Sequence, residues 1–252
     1  MKEQANQASK RFEFRIRGHE VTRIEAFSDV VFGFALTLMV VSLEVPHTFT
    51  ELLADMRGFV PFAVCFALLG QIWWIHHEFF RRYGLQDALT AALNFALLFV
   101  VVFYVYPLKF LFTGVFNEFT HHAEVRNTGG TVIPWLDTGQ VPTLFVIYGL
   151  GYAAVFLIFV MLYWHALRKR QELDLSRLEV FDTYTKMMES GCLGVVGILC
   201  AATAALVPTN LAGSAGFVFF LIPIGMFTIG SQRGKARRRL AAAIPARDGT
   251  SS

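Results

Sequence analysis

The side chains able to do chemistry in this sequence gather in three places. Arg23-x-x-x-Phe27-Ser28-Asp29 stands at the entrance of an apolar run, and Trp73-Trp74-x-His76-His77 near the end of another. Glu118-x-x-His121-His122-x-Glu124 lies in a polar stretch. Two histidine pairs with nearby carboxylates are the ingredients of a transition-metal site, where imidazole and carboxylate ligands converge. That chemistry needs both pairs on one face of the molecule, and the spans read below put them on opposite faces of the membrane. His121 and His122 therefore read as a solvated loop. The cysteines, Cys65, Cys192 and Cys200, sit in apolar runs without a Cys-x-x-Cys spacing, so they read as small buried residues rather than zinc ligands or a disulfide framework. Neither Gly-x-x-x-x-Gly-Lys nor Gly-x-Gly-x-x-Gly occurs, which removes the common nucleotide cradles. No catalytic residue, metal or cofactor is expected, and an enzyme is not the reading.

The elements that must position these groups are membrane helices. Hydrophobic residues make up 55% of the 252-residue chain and charged residues 16%, too apolar for a soluble domain. Six apolar runs, 27–45, 59–75, 88–112, 141–164, 187–207 and 212–229, are each near the length that crosses a bilayer. The fold class expected is all-α, integral membrane, with six transmembrane helices. Nineteen of the 22 basic residues fall on one side of that arrangement: in residues 1–23, at Arg81 and Arg82, in the loop 165–186, and after Gly230. By the positive-inside rule both termini are cytoplasmic, and the net charge of +3 reports topology rather than nucleic-acid binding. The chain divides into a basic cytoplasmic arm (1–22), a six-helix domain (23–230) and a basic cytoplasmic tail (231–252), with no signal-peptide pattern at the start. Within the loop 165–186, Leu173, Leu175, Leu178, Val180 and Phe181 suggest an amphipathic helix extending the fourth or fifth span.

An aspartate at a membrane boundary is a functional hypothesis by default, because a charge there needs a partner. Arg23 or His77 is placed to satisfy Asp29, and Trp73 to stack on a cation. Arg23, Phe27, Ser28, Asp29, Trp73 and His77 then form a polar lock on the first helix, with Asn94 bonding across helices in the same network. The alternative is an interfacial belt of aromatic and basic residues, which explains Trp74, Phe79, Phe80, Arg81 and Arg82; His76 is read with that belt. Farther along the first helix, Phe34, Leu38 and Val41 share one stripe with Thr37, while Met39 points elsewhere. Such a stripe either packs on neighbours or lines a path. Tyr148-Gly149-Leu150-Gly151-Tyr152 has the glycines of a carbonyl selectivity filter but neither its residue order nor a break in the helix, so close helix contact is the reading.

Arg23-x-x-x-Phe27-Ser28-Asp29 in a first span, Trp73-x-x-His76-His77 with Phe79-Phe80-Arg81, and Asn94 followed by Tyr106-Pro107 together resemble the bacterial branch of the transmembrane-protein-175 potassium channels. The motifs cover residues 20–112; beyond them only the hydropathy agrees. The resemblance implies a homotetramer in which the first helix lines a central pore. It implies that Phe34, Leu38 and Val41 form an apolar constriction with Thr37 beside it, that the permeant is potassium and other monovalent cations, and that the protein sits multi-pass in a bacterial plasma membrane. The chain departs from the family pattern at Phe34, where a branched aliphatic is usual, and at Val30, where a glycine is. A proton-coupled transporter using Asp29, His76 and His77, and a non-conducting scaffold sealed by Phe34, are the alternatives.

Overall fold

The computed structural model describes residues 14–18, 20–41, 48, 49, 53, 56, 59–119, 126–128, 131–133 and 139–243. These form six α-helices: α1 (Arg23–Val41), α2 (Phe59–Tyr83), α3 (Ala88–Phe119), α4 (Val141–Arg168), α5 (Arg177–Leu206) and α6 (Leu221–Ala243). A 3₁₀ segment, Thr209–Phe220, leads into α6. Between α3 and α4 two short antiparallel strands, β1 (Arg126–Thr128) and β2 (Thr131–Ile133), pair with Thr128 opposite Thr131. Apart from these two three-residue strands, the regular structure of the described residues is helical, as the fold class expected.

Among the described residues, five helical stretches are long and apolar enough to cross a membrane: Phe59–Tyr83, Ala88–Phe116, Val141–Arg168, Arg177–Leu206 and Leu211–Ala243. The described part of α1 is shorter in apolar length, because Arg23, Glu25 and Asp29 occupy its first two turns. The protein is a multi-pass membrane protein. The observed helices overrun the expected spans: α2 continues through His77 to Tyr83, and the amphipathic segment after Ser176 is the first part of α5. The basic run Arg233–Arg239 is helical as well, as a continuous part of α6.

Helix starts follow from local chemistry. Thr22 and Glu25 form a capping box on α1, Thr22 N–H donating to Glu25 Oε2 at 2.8 Å and Glu25 N–H to Thr22 Oγ1 at 3.2 Å. Ser176 and Glu179 repeat it on α5. Asp87 caps α3 by accepting the amides of Leu89 and Thr90, each at 3.0 Å.

α1 packs on α2 and α3, α3 on α4, and α4 on α5, with the 3₁₀ segment and α6 closing over α5. The α4–α5 crossing is the tightest. A Cβ on Gly149 would stand 2.5 Å from the Gly197 carbonyl oxygen, and one on Gly197 would stand 2.7 Å from the Gly149 carbonyl oxygen. Only glycine lets these backbones touch. Gly151 lies under the Tyr104 ring, whose hydroxyl donates to the Tyr148 carbonyl at 2.6 Å. The glycines of 148–152 therefore serve helix contact within an unbroken helix, as their order and position require.

One end of the bundle collects the polar termini of every helix. Arg17 N–H and Gly18 N–H donate to the Arg81 carbonyl at 3.2 and 3.1 Å, pinning the arm before α1 to the end of α2. Arg17 also grips Glu179 at the start of α5 through two guanidinium nitrogens, at 2.9 and 3.0 Å, with side chains only 11% and 7% exposed. His165, near the end of α4, donates Nε2–H to Asp87 at 2.9 Å. Arg237 on α6 reaches Asp182 on α5 at 2.7 Å. The start of α1, α3 and α5 and the end of α2, α4 and α6 thus meet, so the helices alternate in direction.

Candidate functional site: the entrance and outward face of the first helix

Burial along α1 follows its helical period. Glu25, Ser28, Phe32, Ala35 and Met39 are buried against α2 and α3, while Phe27, Val30, Gly33, Phe34, Thr37 and Leu38 face outward. Phe34 is 55% exposed and Leu38 39%. Thr37 lies between them, its hydroxyl donating to the Phe34 carbonyl at 2.8 Å. Phe34, Thr37 and Leu38 do share one uncovered stripe; the side chain of Val41 lies outside the described residues. Met39, expected to lie off this stripe, does so: it is packed into the core, and its carbonyl accepts from Lys109 Nζ on α3 at 2.9 Å.

The buried face carries the polar network. Asn94 on α3 donates its amide to Ser28 Oγ at 2.9 Å, and Ser28 donates to the Ile24 carbonyl at 2.8 Å. His76 Nε2 lies 2.8 Å from Asn94 Oδ1. With the amide nitrogen of Asn94 committed to Ser28, its oxygen accepts, so His76 carries a proton on Nε2. Ser28 and Asn94 are completely buried and His76 is 1% exposed, so each bond satisfies a group that water cannot reach. The chain His76–Asn94–Ser28–Ile24 joins α2, α3 and α1.

A second link runs nearer the surface. The Trp73 indole N–H donates to Asp29 Oδ1 at 2.7 Å, and His77 stacks on Trp73 with ring centroids 5.5 Å apart. Phe27 meets Phe95 of α3 edge-on at 5.6 Å. Of the expected lock, the structure brings together Ser28 with Asn94 and Asp29 with Trp73 and His77. Arg23 is exposed and, among the described residues, has no ion-pair partner, so the indole rather than a guanidinium satisfies Asp29.

His76, not His77, is the histidine of the buried network, which corrects the placement of His76 in an interfacial belt. The two are adjacent, and one residue turns an α-helix by about 100°. His76 falls in phase with the buried Cys65, Leu69, Phe80 and Tyr83 of α2, whereas His77 lies off that line. Phe79 and Phe80 are fully buried too, so they belong to the core rather than to a belt. No group of three His, Cys, Asp or Glu side chains able to hold a metal occurs among the described residues; Glu118, His121, His122 and Glu124 are not covered by that statement.

Comparison with known proteins gives this geometry a family. Residues 23–107, which contain the whole of the network just described, match the family model of the endosomal/lysosomal potassium channel TMEM175. A potassium channel of Marivirga tractuosa is 39% identical over 231 residues, covering 90% of this chain and 93% of its own. One of Streptomyces collinus is 27% identical over 156 residues, covering 60% of this chain and 66% of its own. Among solved structures, a variant of the potassium channel MtTMEM175 bound to a nanobody fusion superposes with a TM-score of 0.76 at 37% identity, covering 88% of this chain and 97% of that one. The TMEM175 homolog of Chamaesiphon minutus shares the fold at a TM-score of 0.50 and 23% identity, covering 82% and 96%. With an outward apolar stripe on its first helix, a buried His–Asn–Ser chain behind it and a relative matched over nine-tenths of its length, the chain belongs to the TMEM175 family of potassium channels.

Proposed function

We propose that this protein is a passive, potassium-preferring cation channel, formed by four copies arranged with their α1 helices around a central path. The observation that carries the reading is the two-sidedness of α1. One face is locked to α2 and α3, and the other, with Val30, Gly33, Phe34, Thr37 and Leu38, is uncovered in the single chain. A helix that exposes a glycine and a threonine beside large apolar groups is suited to facing other copies across a narrow path. Phe34, Leu38 and Val41 then make a dry neck that gates by wetting, and Thr37 offers the polar oxygen beside it. No carbonyl filter is needed in this account, and selectivity is moderate because side chains alone supply it.

Phe27, Ser28, Asp29, Trp73, His77 and Asn94, joined by His76, hold the pore helix against its neighbours, while Arg23 stands exposed at its entrance. Their task is mechanical, and none is a filter group. Both termini lie in the cytoplasm of a bacterial cell, with the gathered basic helix ends on that side. A proton-coupled carrier gains little support: His76 is spent on Asn94, and the apolar stripe beyond offers no titratable group to continue a relay.

Phe34→Ala tests the neck. Reconstituted in liposomes, it should raise potassium leak and weaken discrimination against sodium. Phe99→Ala, equally large and exposed but on α3, should change neither. Equal effects at both positions would remove Phe34 from the path.

A further inference from the structure

At the polar end of the bundle, the α4–α5 loop, the first turns of α5 and Leu240 of α6 line an open cavity of about 740 Å³. Arg170 and Arg177 line it; both are exposed, and neither has a carboxylate partner among the described residues. Asp174, also in its wall, is paired with Arg15 at 3.3 Å. The rest of the wall is largely apolar, from Leu175, Val180, Phe181 and Leu240. Two guanidinium groups set beside a hydrocarbon surface suit an anion that carries its own apolar part better than a bare one.

The cavity is built, because α6 is bolted to α5 beside it. Arg237 donates to Asp182 at 2.7 Å, and Arg233 Nε donates to Thr185 Oγ1 at 3.0 Å. The Arg233 guanidinium also lies 3.9 Å from the centre of the Phe181 ring, so the aromatic wall is held in place. Depth is marked on α4. Exposed Trp164 carries Arg168 stacked over its ring at 3.7 Å, an indole–cation pair characteristic of the headgroup level. Arg170 follows at once, and on α5 the wall from Arg177 to Tyr184 runs about 10 Å toward the apolar part of that helix. The cavity therefore opens beside the headgroup layer on the side where the basic residues collect, the leaflet face at which anionic lipid is attracted.

We propose that this cavity binds an anionic phospholipid, its phosphate held by Arg170 and Arg177 and the first part of its acyl chains lying on Val180, Phe181 and Leu240. The site borrows from the proposed function only the membrane position of the bundle. Its test does not depend on ion conduction.

The full-length protein is equilibrated in vesicles of equal parts phosphatidylglycerol and phosphatidylcholine, extracted gently, and weighed by native mass spectrometry to count retained lipid. Phosphatidylglycerol should be retained in preference. Arg170→Gln/Arg177→Gln should lower its retention at least about tenfold, which corresponds to roughly 1.4 kcal/mol. Lys235→Gln/Arg239→Gln, which removes the same charge from the exposed face of α6, should leave retention unchanged. Val180→Trp, which places a large ring over the apolar wall where the acyl chains would lie and keeps both arginines, should also lower it. Soluble glycerol phosphate at millimolar concentration should not displace the lipid. Equal retention of the two lipids, retention untouched by the arginine pair and by Val180→Trp, or retention lost as readily in the Lys235/Arg239 variant would overturn the proposal. Displacement by glycerol phosphate would overturn it too, by assigning the site to a soluble phosphate ester.

Discussion

Replacing Asn94 by leucine removes the centre of the chain that joins three helices. The substitution is nearly isosteric, so packing changes little and the effect is polar. Two hydrogen bonds go, His76 to Asn94 at 2.8 Å and Asn94 to Ser28 at 2.9 Å. Ser28 keeps its bond to the Ile24 carbonyl, so its loss is small. His76 is left with a buried, unsatisfied ring N–H, at about 1–3 kcal/mol, and the Ser28 contact adds about 1 kcal/mol. The expected destabilisation is therefore about 2–4 kcal/mol per chain. For a domain of this size each kcal/mol moves Tm by about 2–4 °C, so a fall of roughly 4–16 °C is expected in detergent, followed by fluorescence-detected size exclusion after heating. His76→Phe alone should cost a similar amount by orphaning the Asn94 oxygen. The double variant should cost clearly less than the two singles added, because removing both partners leaves no buried group unpaired. Strict additivity, or an unchanged Tm in Asn94→Leu, would refute the network as a structural device.

Two further outcomes follow from the same structure. Burial opposes the charge of Asp87, but hydrogen bonds from His165 and from the Thr90 amide outweigh it and hold the carboxyl well below the ordinary range. A carboxylate depressed on folding contributes stability that is complete above its unfolded value near about 3.9 and is lost as pH falls toward the folded one. Tm measured from pH 6 down to about pH 3 should thus fall in the wild type and fall less steeply in Asp87→Asn; parallel curves would contradict the assignment. Gly149→Val should force α4 and α5 apart at the Gly197 contact and cost at least about 1–3 kcal/mol, whereas Gly230→Ala, with open space around it, should cost nothing and gain up to about 1 kcal/mol in helix propensity. Matching Tm values for the two glycine variants would count against the close crossing.

The helices were legible in the sequence because long apolar runs announce themselves by length, and the alternation of basic loops sets their order. The close contact at Gly149 was legible too, since glycines within an unbroken apolar run have little other use. The phase of α1 was legible in the stripe of Phe34, Thr37 and Leu38, but that of α2 was not. α2 is aromatic on nearly every side, so little polar contrast says whether His76 or His77 turns inward. The useful signal was Asn94. A buried amide must find partners, and His76, in register with Cys65 and Leu69, was placed to be one. The basic run after Gly230 was read as a cytoplasmic tail, separate from the helical domain, because its charges are dense. Asp182 and Thr185, which engage Arg237 and Arg233, lie some fifty residues away in sequence, and only the fold brings them together.

The central claim is that four copies of this chain conduct potassium passively, and one flux measurement tests it most directly. Purified protein is placed in liposomes under an imposed potassium gradient, the potential is clamped, and the proton gradient is varied. Potassium flux should persist without any proton gradient, exceed sodium flux, and reverse near the potassium equilibrium potential. Flux that stops when the proton gradient is removed, or that reverses at a fixed proton-to-potassium ratio, would contradict the channel account in favour of a carrier.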